Sequence, residues 1–411
     1  MQKNAHRCSP DDKRRTEADD MDITFTEDQE RYRAGIRTWL AQNLPANWTE
    51  ADHWPQVDED AEQAFLIDWE RRLYAAGYSG IAWPKAYGGQ GLGPVEDYIV
   101  NEEIGLAEAP ESLNTIGREL VAPILLSVGT EEQKLRYIPK ILQMDDIWCQ
   151  GFSEPNAGSD LAAIKTRAER RGDVWVANGQ KIWTSYAHMA NHCILLAKTD
   201  TGARAHRGMT LFIVPMDTPG IEVRGIRHLG GQRHFNEVFF TDVEIRDEMR
   251  IGEVNAGWQV AVGVLGFERA TTRLYRQGRF MQELRSLHHE AQRSGKLTAS
   301  LEERMGAVAA ELQLLKYQNL KFLGRIMSGS QIGDESSLLK LSWSQIHQKI
   351  AHLGLEVLGA DLDEDSAFAG RFRKIYLTAR GETIYAGSSQ IQRNIIAERV
   401  LGLPRPERKP A

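Results

Sequence analysis

The tract Val174-Trp175-Val176-Ala177-Asn178-Gly179-Gln180-Lys181-Ile182-Trp183-Thr184-Ser185 sets β-branched and aromatic residues on both sides of an Asn-Gly pair. Such residues suit a pleated, half-buried surface, and Asn-Gly tolerates the positive φ of a tight turn. The tract therefore predicts a hairpin that turns at Asn178-Gly179. Further strand-like runs follow at His192 to Ala197, Met209 to Val214, Ile221 to Ile226 and Val238 to Ile245, separated by turn residues at short intervals. Together they predict a small β barrel or sandwich over residues 151–254.

On either side the texture is helical. Phe25 to Leu44 and Leu66 to Ala76 carry apolar residues at helical spacing, and helices resume from Val95, at Leu120 to Leu126, and at Glu131 to Leu142 behind Thr130 as N-cap. Between them Trp83 to Gly91 is too rich in Pro and Gly for a helix. Past Asn255, Val260, Val264 and Phe267 form one stripe, and Met305, Val308, Leu312 and Leu315 form another. The expected α+β architecture is thus an N-terminal helical domain (21–150), the central β domain (151–254) and a C-terminal four-helix bundle (255–404), with a tail at 405–411. Helix, strand, helix without strand-helix alternation excludes a Rossmann fold.

Composition narrows the function classes. The 411 residues can bury a large core without staples, and 42% of them are hydrophobic. A net charge of -7, from 50 basic and 57 acidic side chains, attracts neither nucleic acid nor an anionic membrane surface. Cys8, Cys149 and Cys193 lack the spacing of a disulfide framework or a metal site, so no metal is expected and a reducing, cytoplasmic setting is. Residues 1–20 have no apolar core like that of a signal peptide and read as a disordered extension.

Two segments carry chemistry. Phe152-Ser153-Glu154-Pro155-Asn156-Ala157-Gly158-Ser159-Asp160 is ordinary turn chemistry by itself. Paired with the Asn178 to Ser185 tract about twenty residues on, it resembles the acyl-CoA dehydrogenase family, and the likeness runs from Met21 to about Pro404. The resemblance implies FAD as cofactor. The main chain near Phe152 and the Ser153 hydroxyl would bond the flavin ring, Ser185 would reach its N5 edge, and Trp183 would shield it. Fixed hydroxyl and N–H dipoles suit a ring that gains negative charge on reduction. Ser159 would lie near the entering acyl-CoA.

The second segment, Gly381-Glu382-Thr383-Ile384-Tyr385-Ala386-Gly387-Ser388-Ser389-Gln390-Ile391-Gln392-Arg393, resembles the family's C-terminal signature. Many members place the catalytic glutamate directly after the tyrosine, where this chain has Ala386. The isovaleryl-CoA and long-chain branches carry it instead on the first long C-terminal helix, where Glu268 matches. Glu268 also falls four residues after Val264, three after Leu265 and seven after Ala261, inside the apolar stripe, where desolvation raises a carboxyl pKa toward that of a general base. The alternative for Glu268 is an ion pair with an arginine such as Arg273. Arg269 faces away from the stripe, toward packing or a CoA phosphate. By resemblance, Glu268 would take the α proton as the β hydrogen leaves as hydride, giving a trans-2-enoyl-CoA. Tyr385 and Ala386 would line the substrate, the Ala386 N–H polarising the thioester carbonyl. Ser388 and Gln390 match positions that contact the adenine half of FAD across a subunit interface.

Two family tracts that hold the FAD diphosphate and adenine are replaced, one by Gln292 to Leu297 and the other by Glu356 to Leu362. Similar losses occur in relatives that pair two unlike chains, often for steroid side chains or dicarboxylic acyl-CoA. Both a homo-oligomer and a heterotetramer with a second acyl-CoA dehydrogenase chain are therefore expected readings, with electron-transferring flavoprotein taking the electrons. The rivals are a flavin monooxygenase on the same fold, which needs no glutamate base, and a non-catalytic or nucleic-acid-binding relative.

Overall fold

A computed structural model describes residues 24–46, 48, 59–203, 206–261, 276–330, 333–363 and 366–405. The N-terminal part contains α1 (Glu27–Asn43), α2 (Glu59–Ala75), α3 (Pro94–Leu106), α4 (Ala122–Val128) and α5 (Glu131–Leu142). Thr26 and Thr130 each start a helix with a capping box, closed by Gln29 and Gln133 three residues on. A single π turn at Gly117–Val121 leads into α4, so this helix starts later than its apolar pattern suggests.

Among the described residues eight strands follow: β1 (Trp148–Gly151), β2 (Arg167–Arg171), β3 (Val174–Ser185), β4 (His192–Lys198), β5 (Met209–Pro215), β6 (Ile221–Ile226), β7 (Phe235–Arg246) and β8 (Arg250–Ile251). Their pairing order is β6-β7-β3-β2-β4-β5-β8, with β1 added parallel to β4. The runs of Cys193 to Ala197 and Met209 to Val214 are wholly buried, and α4 and α5 pack on them through Ile124, Leu125, Tyr137, Ile138 and Ile141. Each such side chain contributes about 1.5–3 kcal/mol by leaving water.

The hairpin predicted at Asn178-Gly179 is not there. β3 runs straight through that pair, and the turn lies earlier, at Gly172-Asp173 between β2 and β3, where Gly172 has φ +62°. Asn178-Gly179 instead marks a register shift against β7. Glycine is needed there because a Cβ would stand 2.4 Å from Thr166 Oγ1. β1 and β2 have no counterpart among the strands read from sequence. β2, with four charged residues in its five, hides its period.

The C-terminal part holds α6 (Arg276–Arg293), α7 (Ala299–Met327), α8 (Ser336–Leu358), α9 (Ala367–Glu382) and α10 (Ser389–Ile395). Met305, Val308, Leu312 and Leu315 face inward as expected, in a core shared with α1, α2 and α3. The expected order of helical, β and helical parts holds. Of the other predicted stripe, Val264 and Phe267 lie outside the described residues, as does the 1–20 extension.

Candidate functional site

The site is assembled from two pieces of backbone. The first is where β1 runs out. Phe152 is buried, Ser153 follows, and the Glu154–Ala157 turn closes with two mutual N–H to carbonyl bonds at 3.1 and 3.0 Å. This segment is joined to β3 by Ile182 N–H donating to the Ser153 carbonyl at 3.0 Å. Beneath it Lys181 Nζ donates to the Phe152 carbonyl at 3.0 Å and to Glu154 Oε1 at 2.9 Å. Glu154 accepts two more bonds, from the Lys165 and Thr166 N–H groups at 2.6 and 2.8 Å.

Burial alone would raise the Glu154 pKa, but Lys181 and those donors hold it below the usual carboxylate range. Burial draws the Lys181 ammonium down to about 8 against the pull of Glu154. The pair is a structural knot, tying the Phe152-Ser153 edge to the strand that carries Trp183 and Ser185.

At the end of β3 the register against β7 slips between Lys181 and Thr184. Trp183 sits on that irregularity with φ +60°, 56% exposed, its ring edge-on to Phe235 at 6.1 Å. A bulge re-aims a side chain in this way, and here it turns a tryptophan outward beside Ser185. Ser185 pairs with Phe235, and Tyr186, also at positive φ, donates its N–H to the His234 carbonyl at 2.7 Å. Asn236 Nδ2 donates to the Thr184 carbonyl at 3.0 Å.

The second piece is the turn between α9 and α10. Ala386 has φ +53° and Gly387 φ +86°. Gln392 Nε2 grips the Ala386 and Gly387 carbonyls at 2.9 and 3.2 Å, and Ser388 caps α10 by accepting the Ile391 N–H at 3.3 Å. Tyr385 is 38% exposed and Gln390 is exposed. Trp183, Tyr186 and Ala386, three of the seven non-glycine residues at positive φ among the described residues, all lie in these two pieces.

The sequence-predicted residues divide accordingly. Phe152, Ser153, Trp183 and Ser185 come together on the sheet edge, and Tyr385, Ala386, Ser388 and Gln390 on the bundle turn. Ser159 stands exposed in the loop before β2. Glu268 and Arg269 lie outside the described residues. Sequence reading passed over the Lys181–Glu154 knot, although both residues stand inside the two quoted tracts; a lysine among strand apolars was the available signal. Among the described residues no three His, Cys, Asp or Glu side chains group as metal ligands, and no helix is long and apolar enough to cross a membrane.

The donor set fits a flavin. A backbone edge at Phe152-Ser153, the hydroxyl position of Ser185 and an outward tryptophan between them form a polar rim with an aromatic cover. Phe152, Ser153, Trp183 and Ser185 would hold the ring at that rim.

The replaced tracts are closed on each other. Lys296 Nζ donates to the Leu358 carbonyl at 3.0 Å and pairs with Asp361, while Arg304 forks onto Glu356.

Comparison with known proteins matches the acyl-CoA dehydrogenase N-terminal domain over residues 26–145, the middle domain over 149–243 and the C-terminal domain over 255–401. Acyl-CoA dehydrogenase IpdE1 of Mycolicibacterium smegmatis is 39% identical over 390 residues, covering 92% of this chain and 98% of that protein. Among solved structures, the Tcur3481-Tcur3483 steroid ACAD superposes with a TM-score of 0.83 at 28% identity, over 94% of this chain and 100% of that one. The ChsE4-ChsE5 complex from Mycobacterium tuberculosis gives 0.79 at 28% identity, with coverage of 94% and 100%.

Proposed function

This chain belongs to the acyl-CoA dehydrogenase family, and we propose on that premise that Glu268 is its catalytic base. The enzyme oxidises the Cα–Cβ bond of an acyl-CoA thioester, and FAD supplies the hydride acceptor.

The observation that carries the proposal is the left-handed turn at Ala386, which presents a backbone N–H and a methyl group where a carboxylate would otherwise stand. A methyl cannot take the α proton, so the base must come from another element. Ala261, seven residues before Glu268 in the sequence, is fully buried, as the apolar pattern there predicts for it.

In this reading the Ala386 N–H donates to the thioester carbonyl and stabilises the charge that develops as the α proton leaves. Glu268 receives that proton. Phe152, Ser153 and Ser185 hold the ring edge, Trp183 excludes water from it, Ser159 and Tyr385 meet the acyl-CoA, and Arg269 serves either packing or a CoA phosphate. Glu268→Gln should lower turnover by about 10²- to 10⁴-fold with an unchanged flavin spectrum. Retained turnover would sink the assignment.

A heteromeric assembly is the second reading, favoured by the internal closure of the replaced tracts. Lys296 and Arg304 are engaged by Asp361 and Glu356 of their own chain, which supports a bundle end that leaves another subunit's diphosphate to a different chain. A second, unlike chain of the same fold would supply that function, as in the Tcur3481-Tcur3483 and ChsE4-ChsE5 pairs. Ser388 and Gln390 would then face it. The steroid ACAD likeness supports a bulky, sterol-derived acyl group, with electrons passing to an electron-transferring flavoprotein. Mass measurement of the purified flavoprotein, alone and with its co-expressed neighbour, tests the assembly; a flavin-replete homo-oligomer overturns it.

A further inference from the structure

The turn that carries Ala386 is held from behind by one face of α8. Lys340 Nζ donates to the Glu382 carbonyl at 2.7 Å. Gln348 Nε2 donates to the Ala379 carbonyl at 3.1 Å and to the Thr383 hydroxyl at 3.0 Å. Between them His347 Nδ1 lies 2.7 Å from Glu382 Oε2. Positions seven and eight residues apart share one helix face, so these three side chains reach the last turn of α9 together.

The far side of the imidazole is occupied as well. Nε2 is 3.1 Å from Glu283 Oε2 on α6, and the ring stacks on Phe280 with centroids 4.0 Å apart. Arg276 stands 3.7 Å from Glu382 Oε1 and 4.1 Å over the Trp343 ring. His347, Glu283 and Glu382 are all buried. Nδ1 hydrogen-bonds Glu382, and Nε2 lies at ion-pair distance from Glu283 without hydrogen-bond geometry, so two carboxylates flank the ring and favour its charged imidazolium form. Burial alone would lower its pKa, but Glu382 and Glu283 raise it to about 10.

Such a cluster is a costly way to join three helices, since apolar side chains of the same volume pack as stably without the desolvation. What it adds is a defined geometry at one place, and that place is the end of α9. From there Ile384 and Tyr385 N–H groups return to the Gly381 carbonyl at 2.9 and 3.0 Å, and the chain enters the left-handed Ala386. A non-glycine residue persists there only where its surroundings over-determine it.

We infer that His347 is a positioning residue: clamped between Glu283 and Glu382, it fixes the end of α9 and through it the direction of the Ala386 N–H. The inference rests on the reading of Ala386 as thioester donor for its catalytic meaning, but its structural half stands apart from that reading. Hydrogen exchange on the flavin-loaded His347→Gln enzyme separates the two. The expected result is exchange at residues 383–389 about tenfold faster, with α6, α7 and α8 unchanged. Turnover of whichever acyl-CoA bleaches the flavin should fall about tenfold with KM kept within about twofold, because a misaimed donor is felt in the transition state.

Unchanged exchange at 383–389, or acceleration spread evenly over the bundle, overturns the inference. Localised exchange with full turnover keeps the positioning role and removes Ala386 from the chemistry. Should His347→Gln fail to fold, Lys340→Met, which cuts a second tie to Glu382 and leaves the imidazolium in place, is read by the same criteria.

Discussion

The two halves of the site are held by different forces. On the sheet side, Ser153 and Ser185 stand on backbone ladders, and one buried pair, Lys181 with Glu154, ties strand to loop. On the bundle side no ladder is available. The Thr383–Gly387 turn is fixed by side chains reaching from α8 and α10, with an imidazolium between two carboxylates at its base. Backbone pairing holds position whatever the side chains are, whereas a side-chain clamp depends on each of its members. The sheet half should therefore tolerate substitution at its surface and fail at its one buried knot, while the bundle half should lose geometry by degrees.

The sharpest break is Lys181→Met. It leaves Glu154 buried with two backbone donors but no cation, and removing one partner of a buried pair costs about 3–5 kcal/mol. A denaturant midpoint that moves by less than about 1 kcal/mol would show that the knot is not what holds the sheet half. A smaller effect is expected at Gly179→Ala. The added Cβ would stand 2.4 Å from Thr166 Oγ1 and 2.7 Å from its Cα at φ +153°, so a loss of about 2 kcal/mol follows. A stable variant with an unshifted melting temperature would mean that the β2 end yields more easily than its pairing suggests.

The smallest effect is the most discriminating, because the two halves carry opposite pH slopes. His347 is raised to about 10, so the folded state holds more protons than the unfolded one between about 6.5 and 10. Its contribution is complete below about 6.5 and is lost as pH rises through about 10. Lys181 is lowered to about 8, so between there and its unfolded value of about 10.5 the unfolded state binds more protons and stability rises with pH. Facing His347 are Glu283 from α6 and Glu382 from α9, and Glu382 in turn is met by Arg276 from α6 and, at its carbonyl, by Lys340 from α8, with Glu111 acting on its carboxylate. Melting curves between pH 7 and 10 should fall less steeply in His347→Gln than in the wild type, and more steeply in Lys181→Met. Parallel curves for all three would remove the distinction.

Periodicity and capping made most elements legible. Thr130 with Gln133 starts α5 where the sequence predicts it, and Ile221–Ile226 is a strand with the bounds that its pattern suggests. The residues proposed for the sheet half stand in two short tracts, so their motifs could be seen in the chain as neighbours. What failed to read was Asn178-Gly179, whose turn chemistry is real but local. A long partner strand, β7, kept β3 extended through it, and the pair became a bulge.

Residue types alone determined that this chain folds as helices around a β domain and lacks a carboxylate at Ala386, and a family resemblance pointed to a flavin site near Phe152 and Ser185. Neither could determine what stands behind that site. Lys181 and Glu154 are 27 residues apart, and His347 meets Glu283 and Glu382 across 64 and 35. No local period couples positions so distant. Burial does, because a charge taken out of water must find its partner wherever the fold brings one, and that encounter is decided by packing of whole elements.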